Sequence, residues 1–262
     1  MKVLDLTLAT PADNLACDEA LLNWSETGDG GEILRLWEPR EPFVVVGYAN
    51  KVEQEVNVPA CRVRGVPIFR RCSGGGTVLQ GPGCLNYTLI LHIAEHPRLS
   101  SISGTNQFIM EQNRAAIEAI VRSRNPDVRI SVCGHTDLAV TAPHSPGGPK
   151  GNPSKSPVAL WKFSGNSQRR QKRVLLFHGT FLLHLDLVLL TEILRMPSHQ
   201  PDYRRNRGHM DFLANLNLPS APLKNALRAT WKATEELPHF PTRETSRLGA
   251  EKYSTREWNF KL

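Results

Sequence analysis

The chain has 262 residues and a net charge of +7 at pH 7, which fits one large domain or two small ones and favours acidic partners. A hydrophobic content of 40% supplies a sizeable core, and 22% charged residues is ordinary for a soluble globular protein. No apolar run reaches the roughly 18 residues of a membrane span, and Asp5, Asp13, Asp18 and Glu19 interrupt the segment where a signal peptide would be apolar. The expected location is the cytoplasm, with no membrane partner. Five scattered cysteines without a CxxC pair read as free thiols.

In chain order, Thr10 predicts a helix cap, with Pro11 at the first helical position and Asp13 three residues on. The apolar stripe of this helix is mixed, and "TGDGGE" ends it. "ILRLWEP" and "FVVVGYA" read as strands, the second buried on both faces. "VPIFRRCSGGGTVLQGPGCLNYTLILHI" reads as strand, glycine turn, short strand, glycine turn and strong strand. Residues 101–124 have helical spacing, with Ile109, Ala116, Ile117, Ile120 and Val121 on one face. "VRISVCG" and "DLAV" predict short strands, and the proline- and glycine-rich stretch 141–157 predicts a mobile loop. "VALWKFSGNSQ" and "RVLLFHGTFLLHLD" form a hairpin; Asp186 caps a helix over 187–195, and a last helix is expected near 220–236. No repeat or domain boundary interrupts this order, so residues 1–262 read as one α+β domain with a largely antiparallel or mixed sheet flanked by helices.

Four features carry chemistry. Gly74, Gly75 and Gly76 follow Arg70, Arg71 and Ser73. Bare backbone beside guanidinium groups either makes a plain turn or lets amides converge on an anion. No GxxxxGK[ST] is present, so this is not a P-loop. Lys162 sits inside an apolar strand, where an unpaired ammonium is costly. It either reaches out at the strand end or faces an anion. Asp137 serves as a turn residue, a magnesium ligand or a partner of Lys162. Cys133 is either core filler or a nucleophile. His92 and His96 fail the HExxH pattern, so no metal site is expected from the spacing, and local spacing supports no Ser-His-Asp arrangement. The runs "RRQKR" and "RRNR" lack interleaved aromatics and read as solvated turns, so no nucleic acid is expected.

Together the segments resemble the lipoate–protein ligase A family, related to biotin protein ligases. The family's R-R-x-S-G-G-G-x-V and G-x-L-N pattern is matched by Arg70 to Val78, including Thr77, and by Gly83-Cys84-Leu85-Asn86. Its K-x-S-G and G-T-L-L pattern is matched by Lys162-Phe163-Ser164-Gly165 and, after His178, by Gly179-Thr180-Phe181-Leu182-Leu183. Gly134-His135-Thr136-Asp137-Leu138 matches the segment between them. Where many relatives carry histidine and aspartate after the glycine motif, this chain has Gln80 and Gly81.

The resemblance implies an ATP-dependent ligase that activates lipoate or octanoate as an acyl-adenylate. The acyl group then passes to a lysine of a lipoyl carrier domain, in the E2 subunit of a 2-oxoacid dehydrogenase or the glycine cleavage H protein. ATP and magnesium are the expected cofactors, and Lys162 the expected catalytic residue. Arg70, Arg71, Ser73, Gly74–Gly76, Thr77, Val78, Asn86, Asp137, Ser164, Gly165, His178, Gly179 and Thr180 are expected to bind the acyl-adenylate. Residues 201–212 would cover it, and Val46 would frame the acyl tunnel. Two-domain relatives continue past "EWNF" into an accessory domain not included here, which in some relatives is a separate subunit. The rival on the same fold is an octanoyl or lipoyl transferase working without ATP through a Cys133 thioester.

Overall fold

The computed structural model describes residues 1–141 and 159–262. Apart from Thr141, the loop expected at 141–157 lies outside the described residues. The apolar stretches form eleven strands among the described residues. In chain order these are β1 (Lys2–Asp5), β2 (Ile33–Trp37), β3 (Phe43–Val46), β4 (Ile68–Arg70), β5 (Val78–Gln80) and β6 (Cys84–His92). They continue with β7 (Ile130–Cys133), β8 (Asp137–Thr141), β9 (Leu160–Arg170), β10 (Val174–Leu182) and β11 (Glu235–Glu236).

Eight strands make one sheet in the order β11-β1-β2-β6-β10-β9-β8-β7, and β4-β3-β5 make a second. Every pairing from β2 to β7 is antiparallel, while β1 joins β2 and β11 in parallel. The mixed α+β architecture expected from the sequence is therefore present, divided between two sheets. "FVVV" is buried throughout, as its unbroken apolar character requires. It takes β4 and β5 as partners, so the glycine motif belongs to the small sheet.

The Pro11–Thr27 helix begins as its sequence dictates. The Thr10 side chain accepts from the Asp13 amide at 3.1 Å, and Gly28 closes the helix in the left-handed region with φ 102°. Its stripe is mixed because the helix is buried on more than one face. Cys17, Leu21 and Leu22 pack with the sheet residues Ile33, Ile90 and Leu176, while Ala16 and Ala20 pack with Leu248 and Tyr253 of the C-terminal segment. The Ile102–Arg124 helix, capped by Ser101, buries Ile109 and Ile117 against the opposite sheet face with Leu89, Leu175 and Phe177. Asp186 caps the Leu187–Ile193 helix by accepting from two amides at 2.9 Å.

The helix expected near 220–236 stops at Thr230. Trp231 turns into the core and Lys232 adopts a φ of 51°, which sends the chain into β11. Three further short helical segments follow, at Thr242–Leu248, Gly249–Tyr253 and Arg256–Asn259. Among the described residues no helix is long and apolar enough to cross a membrane.

Gly83 joins the two sheets. Its carbonyl accepts from the amides of Leu183 and His184 at 2.8 and 2.9 Å, its φ is +89°, and an added Cβ would overlap the His184 carbonyl. Gly83→Ala is expected to destabilise the fold by about 2 kcal/mol or more through backbone strain and collision. Urea unfolding checks this: the midpoint should fall while the slope stays unchanged.

Candidate active site

The glycine motif closes around a buried cation. Nε of Arg71 donates to Ser73 Oγ at 3.1 Å, while Nη2 donates to the carbonyls of Gly74 and, at 2.7 Å, Gly76. Burial pulls the Arg71 guanidinium down to about 10, so it stays charged at neutral pH. Ser167 Oγ donates to the same Gly74 carbonyl at 2.8 Å. A trans peptide sets its N–H opposite its C=O. With the carbonyls of Gly74 and Gly76 turned onto Arg71, the amides of Gly75 and Thr77 face the other way. Gly47 permits this shape, because a Cβ there would collide with the Gly75 carbonyl. Gly75 itself has φ +82°, the left-handed region that favours glycine.

Across from this loop stands Lys162. A register shift in the β8–β9 pairing, with Leu138 opposite Ser164 and Ala139 opposite Lys162, leaves Phe163 as an extra residue buried in the core. Such a bulge re-aims its neighbours. Lys162 folds back over Gly165, where an added Cβ would lie 3.1 Å from Nζ. Asp137 Oδ1 holds Nζ at 2.8 Å, and Oδ2 accepts from the Tyr203 hydroxyl at 2.8 Å. Burial, and then the Asp137 charge, raises the Tyr203 hydroxyl above its ordinary value, so it stays a donor.

Lys162, Asp137 and the backbone of Gly75 to Val78 open onto one cavity of about 820 Å³, within the range of small-molecule sites. Its polar floor is knitted together. Asn86 Nδ2 donates to Gln80 Oε1 at 3.0 Å, Gln80 Nε2 donates to Thr180 Oγ1 at 2.6 Å, and Thr180 Oγ1 donates to Asn86 Oδ1. Gly179 leaves room for Asn166, whose Oδ1 accepts from the Tyr87 hydroxyl at 2.6 Å. Another part of the wall is apolar, from Trp37, Val45, Leu79, Leu182, Leu190 and Leu194. One cavity therefore offers a cation, outward-facing amides and an apolar compartment.

Most of the expected site residues meet here. Arg71, Gly75, Gly76, Thr77, Val78, Asn86, Asp137, Lys162, Ser164, Gly165, His178, Gly179 and Thr180 all line the cavity, as do Tyr203, Arg204 and Phe212 from the 201–212 segment. Others take different places. Arg70 is fully buried, and its guanidinium donates to the carbonyls of Gly47, Tyr48, Asn50, Trp258 and Asn259. It clamps the C-terminal segment to the loop after β3, and its donors are taken by backbone. Ser73 is buried and Gly74 exposed, and neither lines the cavity. Val46 packs into the small-sheet core with Val44, and strand alternation gives the wall Val45 instead. Cys133 lies just behind the wall, next to Gly134, which lines it. Burial, then Asp137, raises its thiol, so the neutral form dominates.

Asp137 has one partner on each carboxylate oxygen, Lys162 on Oδ1 and Tyr203 on Oδ2. Among the described residues, the trio of metal-ligating groups that lies close enough together is Glu32, Glu95 and His96, outside the cavity wall. All five cysteines are free and buried, as their spacing suggested.

The sequence reading missed a buried network behind the loop. Arg35 on β2, fully buried, donates to Asp18 Oδ1 at 2.6 Å and to Asn14 at 2.7 and 2.8 Å. Asp18 Oδ2 meets His178 Nδ1 at 3.0 Å, and His178 Nε2 meets Ser73 Oγ at 2.6 Å. A Ser-His-Asp chain thus exists across long separations that local spacing cannot show. The available signal was an arginine in the strand "ILRLW": a cation in so apolar an element demands a partner.

The chain matches the family model for the lipoyl protein ligase A/B catalytic domain over residues 10–222 and belongs to that family. It is an enzyme of the lipoate ligase and octanoyltransferase group. It is similar to octanoyltransferase LipM of Geobacillus kaustophilus, 29% identical over 99% of this chain and 98% of that protein. It is also similar to lipoate-protein ligase A subunit 1 of Thermoplasma acidophilum, 26% identical over 98% and 96%. Among solved structures, the bipartite lipoate protein ligase of Thermoplasma acidophilum superposes with a TM-score of 0.74 at 24% identity, over 100% of this chain and 96% of that one. A lipoate-protein ligase A bound with ATP gives 0.67 at 26% identity, over 100% and 98%.

The Arg35–Asp18 pair has a consequence for acid stability. Burial alone would raise the Asp18 carboxyl, but Arg35 and then His178 hold it below its ordinary value of 3.8. A carboxyl lowered by folding adds stability above its unfolded value, and that contribution is lost as pH falls through the lower folded value. Arg35→Met leaves burial unopposed by its main partner. It is expected to cost about 3–5 kcal/mol at neutral pH and to move the acid-unfolding midpoint to higher pH, read by circular dichroism.

Proposed function

We propose that this chain is an ATP-dependent lipoate–protein ligase, taking lipoate or octanoate as its acid. The observation that carries this reading is the meeting of Lys162 with the outward-facing Gly75 and Thr77 amides across one cavity that also has an apolar compartment. A carboxylate is a poor electrophile and must be activated before it forms an amide. A carboxylate oxygen of the acid bonds to the α-phosphorus of ATP and pyrophosphate leaves. The lysine amine of a lipoyl domain then attacks the acyl carbon, the C–O bond to phosphate breaks, AMP leaves and the amine loses a proton. Lys162 would bridge the carboxylate and α-phosphate oxygens, and the glycine-loop amides would hold the same anion. The apolar wall would take the acyl chain. Asp137 fixes the Lys162 ammonium without neutralising the cavity's other donors.

The relatives support the ligands this requires. One lipoate-protein ligase A structure holds ATP, and the Thermoplasma acidophilum protein has been solved with lipoic acid. The bipartite ligase was studied with its E2 lipoyl domain, which supports a lipoyl domain as acceptor and a separate subunit as partner. The net charge of +7 suits both ATP and an acidic carrier through steering. Magnesium would arrive with ATP and offset phosphate charge; the cavity leaves most of its ligands to the phosphates, with Asp137 the nearest carboxylate to Lys162.

A second reading is favoured by the octanoyltransferase names of several full-length relatives. In it Cys133 carries the acyl group as a thioester between two carriers and ATP has no part. The buried, raised thiol behind Gly134 would first have to enter the cavity.

Acylation of a lipoyl domain with lipoate or octanoate, with and without ATP and with the accessory subunit of a bipartite ligase added, separates the two. Under the first reading acylation requires ATP and Lys162→Ala lowers it about 100- to 1000-fold. Cys133→Ser leaves ATP-dependent acylation in place. Transfer from an octanoylated carrier that ignores ATP and disappears in Cys133→Ser would overturn the ligase reading.

A further inference from the structure

A polar row crosses the middle of the large sheet. In register, Arg35 on β2 stands beside Thr88 on β6, Thr88 beside His178 on β10, and His178 beside Ser167 on β9. Arg35 and Thr88 have no exposed surface, and Asp18 and Ser73, which contact the row from above, are buried as well. A buried ion pair adds little stability over well-packed apolar side chains. Stability alone gives no reason for this arrangement, but its position does. The row ends under the glycine loop, where Ser167 holds the Gly74 carbonyl and His178 meets Ser73.

The proton positions follow from the partners. Asp18, ionised beside Arg35, only accepts, so His178 Nδ1 carries the proton given to it. Arg71 Nε only donates, so Ser73 Oγ accepts from it. In the neutral ring Nε2 accepts the Ser73 hydroxyl proton and donation runs from Ser73 to His178 to Asp18; in the charged ring Nε2 donates to Ser73 Oγ and the same contacts hold. Either way the serine oxygen is held from both sides, and so is one edge of the Arg71 guanidinium.

We propose that Asp18 and His178 are positioning residues for the glycine loop. They set Ser73, Ser73 sets the plane of Arg71, and Arg71 turns the Gly74 and Gly76 carbonyls inward so that the Gly75 and Thr77 amides face the cavity. The functional meaning of that alignment rests on the ligase reading above; the alignment itself does not.

Amide hydrogen exchange on the full chain without substrate tests this, followed by kinetics. Asparagine at 178 places a nitrogen near the old Nδ1 and falls short of Ser73, so His178→Asn cuts the relay at one end. Ser73→Ala cuts it at the same bond from the other side. Both are expected to speed exchange about tenfold at the Tyr48 amide, which donates to the Ser73 carbonyl at 2.8 Å and so reports on the loop, while the β6 and β10 amides keep their protection. Ser73→Thr keeps the hydroxyl in a crowded place. A positioning role makes the threonine variant the better of the two at 73, in exchange at the loop and in kcat/KM. A packing role makes alanine the better. Should His178→Asn fail to fold, the order of the two Ser73 variants decides. Wild-type exchange at the loop in a folded Ser73→Ala chain, acceleration of all amides alike, or alanine outperforming threonine would overturn the proposal. The expected exchange pattern together with no acylation by the wild type would support the relay and sink the ligase reading instead.

Discussion

The candidate site depends on a cation held inside a loop that has no side chains of its own to fold around. Three consecutive glycines have high conformational entropy and no packing surface. The Arg71 guanidinium supplies what they lack, a rigid fork of donors that fixes two carbonyls at once. Turning those carbonyls inward turns the intervening amides outward. On the proposed reading the loop becomes an anion receptor through a charge buried behind it. The small sheet presents this loop and the large sheet presents Lys162, so the cavity lies between two separately built surfaces.

Much of this was legible in the sequence because it was written in local terms. Caps at Thr10 and Asp186, the glycine stop at Gly28, and the apolar runs that became β6 and β10 each carry their signal within a few residues. The motif residues Lys162, Asn86 and Gly75 were found by resemblance, and the fold brings them to one cavity. What stayed hidden was long-range pairing. Nothing near Arg35 says that Asp18 answers it, or that His178 reaches Ser73 across 105 positions. Arg70 shows the same limit from the other side. Adjacent to Arg71 and chemically identical, it reads as a second anion clamp. Strand alternation turns it the opposite way, onto the carbonyls of Trp258 and Asn259. The division of the strands into two sheets was equally invisible, since β3 is apolar enough to suit either.

The two readings of the chemistry differ in a single physical requirement. Adenylate formation needs charge held still, and on the proposed reading the Lys162–Asp137 pair and the glycine loop would supply that with the backbone as it stands. Thioester transfer needs a thiolate within reach of the acyl carbon, and burial works against one at Cys133.

The anchoring of Arg70 by Trp258 and Asn259 bears on how the polypeptide acquires its binding loop during synthesis. The segment that braces β4 is translated 189 positions after the strand residue it holds, Arg70. Domains generally begin folding as they leave the ribosome. Here the sheets can assemble early, but the brace arrives only once Asn259 has cleared the exit tunnel. Until then the nascent chain carries β4 and the glycine loop that follows it without their brace.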